Sequence, residues 1–535
     1  MDKVLVVGGR TTGLMMASEL ARRGIPVRCI DKSPGIDPHV RANLLHSRTL
    51  EILQGLGLDE KVTLGSVAEI GFVFYRNGER VGESPHAPID SPFPYGMSQS
   101  QAHTEATLES HLETLGGKVE RDVSLTALIQ DDAGVNVTLQ HGGGGEETAR
   151  YQWVIACDGA HSTVRHHLDE AFPGDADDIP YVLGDVLIDG DEDLEPDKGH
   201  VFFHDDGVLF AFTRLPENRH FLVASLAQEA GTDGEPTLEQ LQTIVSQRAG
   251  ASLRLRDPHW LGFFRINYRL VPRYRQDRIF LAGDAAHIHS LLAGQGMNTG
   301  IQDAHNLAWK LAQAVRGSAS ADLLDTYEAE RRIVAAEVIE TTRKITQVME
   351  SYAELPPGDR ETFISHLYTP DAARLDAARH LQEVDLDYSA SPLSVSPADI
   401  FQSGPGPGLR APDATDLVYN GQPTSLFRLP ADDQFRLFFF CGASDGPAVE
   451  AVRKAADAAR DLARWLKPYI VAAEETGSAF PGHAVIIDQK RNMHRIYGAD
   501  LPCIYLVRPD GYVAYRSSDL ASAGTYFEQT GLTVG

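Results

Sequence analysis

The chain has 535 residues, with 48 Lys and Arg against 75 Asp and Glu for a formal net charge of −27, and 42% hydrophobic residues. This length accommodates three or four domain-sized cores, and the balance of apolar and charged residues is that of a folded globular protein, not a disordered tail. The acidic excess repels polyanions, which excludes nucleic acid and anionic membrane surfaces as expected partners.

Val4–Val7 is a short β-branched run, read as a strand, followed by a glycine-bearing turn at Gly8–Gly13. That run is too short for a signal sequence, and nowhere do eighteen apolar residues follow one another, so no membrane span is expected. Residues 14–23 read as a helix with Gly24 at its C′ position, and Val27–Ile30 as a second strand ending at Asp31. Residues 102–115 look helical. Strands are expected at 123–129 and 135–140, with a four-glycine hairpin tip at 142–145, and again at 151–156 before Asp158-Gly159.

Between residues 169 and 206 the chain carries fourteen acidic residues and one lysine, read as a solvated face, with strands at 182–188 and 201–203. Amphipathic strands continue to about Tyr268, as in a sheet covering a ligand cavity. A strand at 279–281 precedes a long helix from Gln295 and a second over 322–347. The Pro/Gly/Ser-rich stretch 391–412 reads as a linker. Beyond it come a strand at 436–441, a helix over 448–467, a strand at 484–488, and a hairpin across 505–515 turning at Pro509-Asp510-Gly511. Four cysteines, Cys29, Cys157, Cys441 and Cys503, include no CxxC pair; neither a zinc site nor a disulfide framework is expected, and a reducing cytoplasmic setting is.

Three motifs carry chemistry. GGRTTG at Gly8–Gly13 lies between a strand and a helix, with Asp31 ending the next strand. In that context the first glycine permits a tight turn, the helix N-terminus offers free N–H groups to a pyrophosphate, and the acid accepts from a ribose. Its middle glycine is replaced by Arg10. Two readings stay open: Arg10 points outward and adds a cation near phosphate, or it obstructs the cofactor. The second motif is DGxxSxxR, with Asp158, Gly159, Ser162 and Arg165. The third is Gly283-Asp284-Ala285-Ala286-His287 leading to Gly294-Gln295-Gly296-Met297-Asn298, a strand end and glycine-rich loop entering a helix, again suited to an anion.

On these three motifs in this order, the chain resembles the FAD-dependent aromatic hydroxylases of the para-hydroxybenzoate and phenol hydroxylase type, the single-component flavoprotein monooxygenases. The resemblance spans essentially the whole chain. It implies an α/β fold: a Rossmann-like FAD-binding domain (1–175 and 270–390) interleaved with a mixed-sheet substrate domain (176–269), then a thioredoxin-like domain (413–535) without CxxC. That last unit is expected to be structural or to sit at a homodimer interface. The resemblance implies that Gly8, Gly9, Arg10, Thr12, Gly13 and Asp31 hold the ADP half of FAD, that Arg41 reaches its phosphate and gates flavin movement, and that Gln101 contributes. Asp158 and Arg165 are implied to serve FAD and NAD(P)H, Asp284 the ribityl chain, and Gly294, Gly296, Met297 and Asn298 the flavin pyrimidine edge.

The implied reaction inserts one oxygen atom of O₂ into a small, electron-rich aromatic substrate, through a flavin C4a-hydroperoxide, at the expense of NAD(P)H. Phe203, Phe212 and Phe221 are expected to touch substrate. His287 and His289 read either as base or substrate contact or as structural histidines. Leu291 replaces a proline usual in the family's loop and is expected to loosen the loop facing substrate. Ile333, where that pattern also has proline, is taken as a helix-surface matter. Baeyer–Villiger oxygen insertion, and a non-redox cyclase or binding protein with structural, weak or absent FAD, remain alternatives.

Overall fold

A computed structural model describes residues 3–39, 42–84, 89–205, 209–226, 234–249, 252–368, 372–397, 401–430, 433–442, 447–460, 466–473 and 479–532. The N-terminal half is organised around a six-stranded sheet. Its strands run in the order 275–276, 279–281, 153–156, 4–7, 27–30 and 119–120, all parallel except the first. Val4–Val7 and Trp153–Ala156 are buried on both faces, which explains their unbroken apolar runs: a parallel sheet covered by helices leaves no face to water.

The first helix begins at Thr11, three residues earlier than its apolar residues suggest, and ends at Arg22. Leu14, Met15, Met16, Ala17 and Leu20 are fully buried in it. Gly24 follows with φ +69°, and its N–H donates to Ala21 O at 2.8 Å, as a C′ glycine does. The long helices are Gln295–Arg316 and Asp322–Ser351. Ile333 lies on the outer surface of the second, 49% exposed.

An eight-stranded sheet packs beside this core. It is built on the long antiparallel pair Gly174–Asp189 and Arg254–Leu270, with 219–225, 210–214 and 199–203 following. It also recruits strands 72–76 and 79–83 from well before residue 176, and 287–288 from beyond residue 269. Of the acidic stretch, Glu170 and Asp185 are buried, the first 2.7 Å from Arg273 Nη2 and the second 2.5 Å from Arg219 Nε.

The C-terminal unit is a seven-stranded sheet in the order 422–424, 417–419, 485–488, 466–472, 435–440, 503–507 and 513–517. The helix expected over 448–467 ends at Ala459, and Leu466–Ala472 is a strand between two neighbours. Tyr469–Ala472 is fully buried or nearly so, and burial between two strands outweighs the helical periodicity that precedes it. The hairpin at Pro509-Asp510-Gly511 is present.

The described residues of 391–412 are packed against both neighbouring units. Leu393 is buried in the C-terminal core, Ser391 Oγ donates to Glu330 at 2.6 Å, and isolated bridges join Val395 to Tyr515 and Arg410 to Tyr512. The small polar residues of this stretch make specific buried contacts, so composition there does not signal mobility.

Candidate active site

The parallel register brings the three motifs together. Val7 lies beside Ile30 on one side and Ala156 on the other, and Ala156 lies beside Leu281. GGRTTG, Asp31, Asp158-Gly159 and Gly283-Asp284 therefore all emerge at one carboxyl edge, where open α/β sheets bind ligands. Gly8 has φ +104°, and a Cβ there would lie 2.2 Å from Cys157 O; a Cβ on Gly13 would lie 1.8 Å from Gly8 O. Gly9 N–H donates to Asp31 Oδ2 at 2.6 Å, and Ser33 N–H to Oδ1 at 2.7 Å. Thr12 wedges between two glycines: a Cβ on Gly283 or Gly300 would approach its Oγ1 to 2.7 or 2.4 Å. It thus locks the first turn against the third motif.

Arg10 turns away from this turn. Its Nε lies 3.3 Å from Glu105 and its Nη1 3.3 Å from Asp37, with the side chain 34% exposed, which favours the outward reading. Glu105, which the sequence reading missed, is the hub: Thr11 N at 3.2 Å, Thr11 Oγ1 at 2.9 Å and Gln101 Nε2 at 2.8 Å all donate to its Oε1. Gln101 therefore acts beside the turn through Glu105. Arg41 lies outside the described residues.

In the second motif, Ser162 caps the helix Thr163–His167 by accepting from Arg165 N–H at 3.0 Å. The Arg165 guanidinium donates to Ala285 O at 3.0 Å and Ala160 O at 2.7 Å, and lies 4.0 Å above Phe172, tying this loop to the third motif. Asp158 Oδ2 accepts from Val164 N–H at 3.2 Å, Oδ1 is buried without a partner, and burial raises its pKa. Asp284 is exposed beside Gly283.

The helix Gln295–Arg316 starts from Gly294 in the left-handed region, without a side-chain cap and without an acid in its first turn. Both polar side-chain atoms of buried Gln295 lack partners, and a Cβ on Gly296 would meet only His289, at 3.7 Å. Met297 is nearly buried, and Asn298 is used structurally: its Nδ2 donates to Leu44 O at 2.9 Å and Gly294 O at 2.8 Å, while its Oδ1 accepts from His46 N–H at 2.9 Å. The glycine cradle, uncapped amides and orphaned polar atoms fit a dinucleotide whose far end reaches this loop.

A largely apolar cavity of about 460 Å³ abuts the same loop, with Leu291, Leu292 and Gly294 on its wall. Phe212 and Phe221 line it from the large sheet, as expected; segments 43–46, 69–74, 94–96 and 377–382 supply walls that sequence pattern did not single out. Phe203 is not on its wall. Its ring packs 4.9 Å from Tyr352 and 6.0 Å from Phe363, on the strand face it shares with Val201, which does line the cavity, so these two aromatic side chains stand between it and the open space.

His287 is also absent from the cavity wall: it is 1% exposed, with Nε2 2.8 Å from Asp303, whose other oxygen receives Arg331 at 2.7 Å. That is a structural histidine. His289 is buried between His287 and the Gly296 turn, its pKa lowered to about 4 by burial and by His287. Of His287, His289 and Leu291, only Leu291 sits on the cavity wall.

The FAD binding domain family matches residues 1–342, well over half of the chain. Pentachlorophenol 4-monooxygenase of Sphingobium chlorophenolicum is 31% identical over 531 residues, covering 96% of this chain and 93% of its own. 6-Methylpretetramide 4-monooxygenase of Streptomyces rimosus is 30% identical over 521 residues, with 96% and 90% covered. The anhydrotetracycline hydroxylase of Streptomyces rimosus superposes with a TM-score of 0.78 at 26% identity, covering 100% of this chain and 99% of the other. With its motifs on one sheet edge and this likeness along its length, the chain belongs to the FAD binding domain family and, within it, to the flavoprotein aromatic monooxygenases.

Proposed function

We propose that the protein hydroxylates a phenolic or polycyclic aromatic substrate in the 460 Å³ cavity, with FAD along the carboxyl edge of the sheet and NAD(P)H as reductant. The observation that carries this reading is that the cavity and the uncapped start of the helix Gln295–Arg316 share the wall formed by Leu291, Leu292 and Gly294.

Bound FAD supplies electron transfer from NAD(P)H and activation of O₂ for transfer of a single oxygen atom. The protein's residues bind, orient and exclude water. Gly8, Gly13 and the amides following Arg10 would cradle the pyrophosphate, and Asp31 the ribose. Asp284 would face the ribityl chain, and the amides of Gly296–Asn298 would lie at the pyrimidine edge, where a helix N-terminus favours negative charge. Phe212, Phe221 and Leu291 would hold the ring in an apolar, water-poor space. We read residues 413–535 as a thioredoxin-like unit that braces the catalytic part, since its two cysteines, Cys441 and Cys503, form no CxxC pair.

The relatives named above are monooxygenases of pentachlorophenol and of 6-methylpretetramide, and the first of these is a phenol, which supports this substrate class. The test is a screen of substrate-stimulated NAD(P)H oxidation across phenols and polycyclic aromatics, with product mass measured for a gain of one oxygen. Purified protein that is colourless and takes up no added FAD would overturn the proposal; oxygen placed beside a carbonyl in place of a ring hydroxyl would redirect it to Baeyer–Villiger chemistry.

A further inference from the structure

The geometry points to Glu69 as the group that accepts the hydrogen bond of a substrate hydroxyl in the large cavity and takes its proton. This rests on the reading of that cavity as an aromatic-substrate site.

Glu69 ends the strand Val67–Glu69, paired with Gly96, and the backbone just beyond it is fixed by Ile70 N–H donating to Asp197 O at 2.7 Å. Glu69 and Gly96 both line the cavity. The Glu69 side chain is 9% exposed and has no hydrogen bond or ion pair among the described residues. A buried carboxyl without a partner is costly, and such groups concentrate where a ligand completes them.

Three other polar side chains of the wall are already engaged. Asn43 Nδ2 donates to Ser98 Oγ at 3.1 Å and Thr213 Oγ1 at 2.9 Å, Ser84 Oγ accepts from Phe72 N–H at 2.8 Å, and Gln382 Oε1 accepts from Ser47 N–H at 3.0 Å. Glu69 is thus the carboxyl in the wall with its acceptor capacity unspent.

Burial alone raises its pKa to about 7, the range in which a carboxylate exchanges a proton with a phenol most effectively near neutrality. Ionisable side chains on the elements packed around it are His46 and Tyr95 on the wall, and Asp197 and Lys198 before the strand Gly199–Phe203; Lys198 Nζ is taken up by Glu83 at 2.5 Å. In the step, the substrate O–H bond breaks, an O–H bond forms on the Glu69 carboxylate, and the electron pair stays on the substrate oxygen. The resulting oxyanion enriches the ring carbons that accept oxygen.

The experiment is equilibrium dialysis of 2-naphthol, 2-methoxynaphthalene and naphthalene against the holoenzyme, for the wild type, Glu69→Gln and Glu69→Ala. The wild type should prefer the naphthol over both other probes by about tenfold, the equivalent of one hydrogen bond to a charged acceptor. Glu69→Ala should reduce that preference to within about twofold while still binding naphthalene, and Glu69→Gln should keep part of it. In a second readout, naphthol-stimulated NAD(P)H oxidation should rise with pH through about 7 in the wild type and lose that limb in Glu69→Gln. A preference that survives in Glu69→Ala, or is absent in the wild type while naphthalene binds, overturns the role of Glu69 and leaves the cavity's assignment standing. Failure of all three probes to bind overturns both.

Discussion

Both terminal nitrogens of Arg508, in the C-terminal hairpin, rest on the carboxylate of Glu330 at 2.6 and 2.8 Å, and neither side chain is exposed. Glu330 also receives Lys310 Nζ and Asn306 Nδ2, each at 2.7 Å; Arg508 holds Asp510, which accepts from Trp309 Nε1 at 3.0 Å. The hairpin is thereby keyed into the helix that begins at the cofactor loop. Glu330→Gln leaves buried Lys310 without its anion and Arg508 with Asp510 alone, and should cost about 3–5 kcal/mol, read by denaturant unfolding. Against the desolvation of burial, Arg508 and Lys310 hold Glu330 well below the usual carboxylate range. A lowered folded pKa gives stability that is complete above the unfolded value and lost as pH falls through the folded one. The difference between wild type and variant should therefore persist well into the acid range and close only in strong acid.

Arg10 occupies a glycine position of the dinucleotide turn, yet its side chain is committed to Asp37 and Glu105. A partly exposed ion pair contributes little. Arg10→Gly should therefore change FAD affinity by less than about threefold in a flavin-quenching titration of the apoprotein. Glu105→Ala removes the acceptor shared by Thr11 N–H, Thr11 Oγ1 and Gln101, and should weaken FAD binding by about tenfold or more, the equivalent of one to two hydrogen bonds. Equal effects of the two variants would contradict the outward placement of Arg10.

The contrast between these two residues shows what was legible in the sequence. Local signals sufficed for the strand–turn–helix at residues 4–24, because a left-handed glycine and a doubly buried strand leave a mark within a few residues. Glu105 left none: its partners are 4 to 95 positions away, and a buried acid in a helix looks like any surface acid. Glu69 was equally invisible, since the cavity wall is assembled from several distant segments. Phe203 and Phe212 read alike as strand aromatics, and whether either reaches the cavity depends on distant segments, such as the one that packs Tyr352 and Phe363 over Phe203. The stretch 391–412 misled because small polar residues serve tight packing as well as linkers.

Leu291 sits at the first position of the 3₁₀ turn Leu291–Ala293, behind Ser290 in an extended conformation with φ −60° and ψ 143°. Both settings suit proline at residue 291. Leu291→Pro should be tolerated and should stabilise by about 0.4–1 kcal/mol through the unfolded chain, less whatever apolar packing against the Phe221–Tyr268 cluster is lost. A thermal melt that falls sharply would show that the Leu291 side chain matters more than its backbone. A shift of the substrate screen toward larger ring systems is expected, since Leu291 forms part of the cavity wall.

His289 is held neutral by burial and by His287, with its pKa lowered to about 4. As pH falls below about 6.5, the unfolded chain takes up a proton that the folded site refuses. This histidine therefore contributes stability that is complete above about pH 6.5 and declines by roughly 3 kcal/mol as pH falls to about 4. His289→Asn should flatten the slope of stability against pH in that window, whatever its effect at neutral pH. An unchanged slope would mean that the imidazole is not the group responsible.

Three phenylalanines separate cavity from core. Phe203 packs against Tyr352 and Phe363, next to the cavity but off its wall, so Phe203→Ala should cost about 3–5 kcal/mol of stability. It should leave 2-naphthol affinity within about twofold, because none of its atoms would touch the probe. Phe221 is on the wall beside Leu291, and Phe221→Ala should weaken the same probe by about tenfold, the contribution of one aromatic contact and its buried area. Phe212 joins both sets: it lines the cavity and also stacks on His200 at 5.0 Å, so Phe212→Ala should lose affinity and stability together. Measuring probe affinity and unfolding free energy on all three variants separates the rings of the wall from those that only pack behind it. A loss of affinity in Phe203→Ala matching that in Phe221→Ala would mean that the substrate extends past Val201 to the Tyr352–Phe363 end of the cavity face.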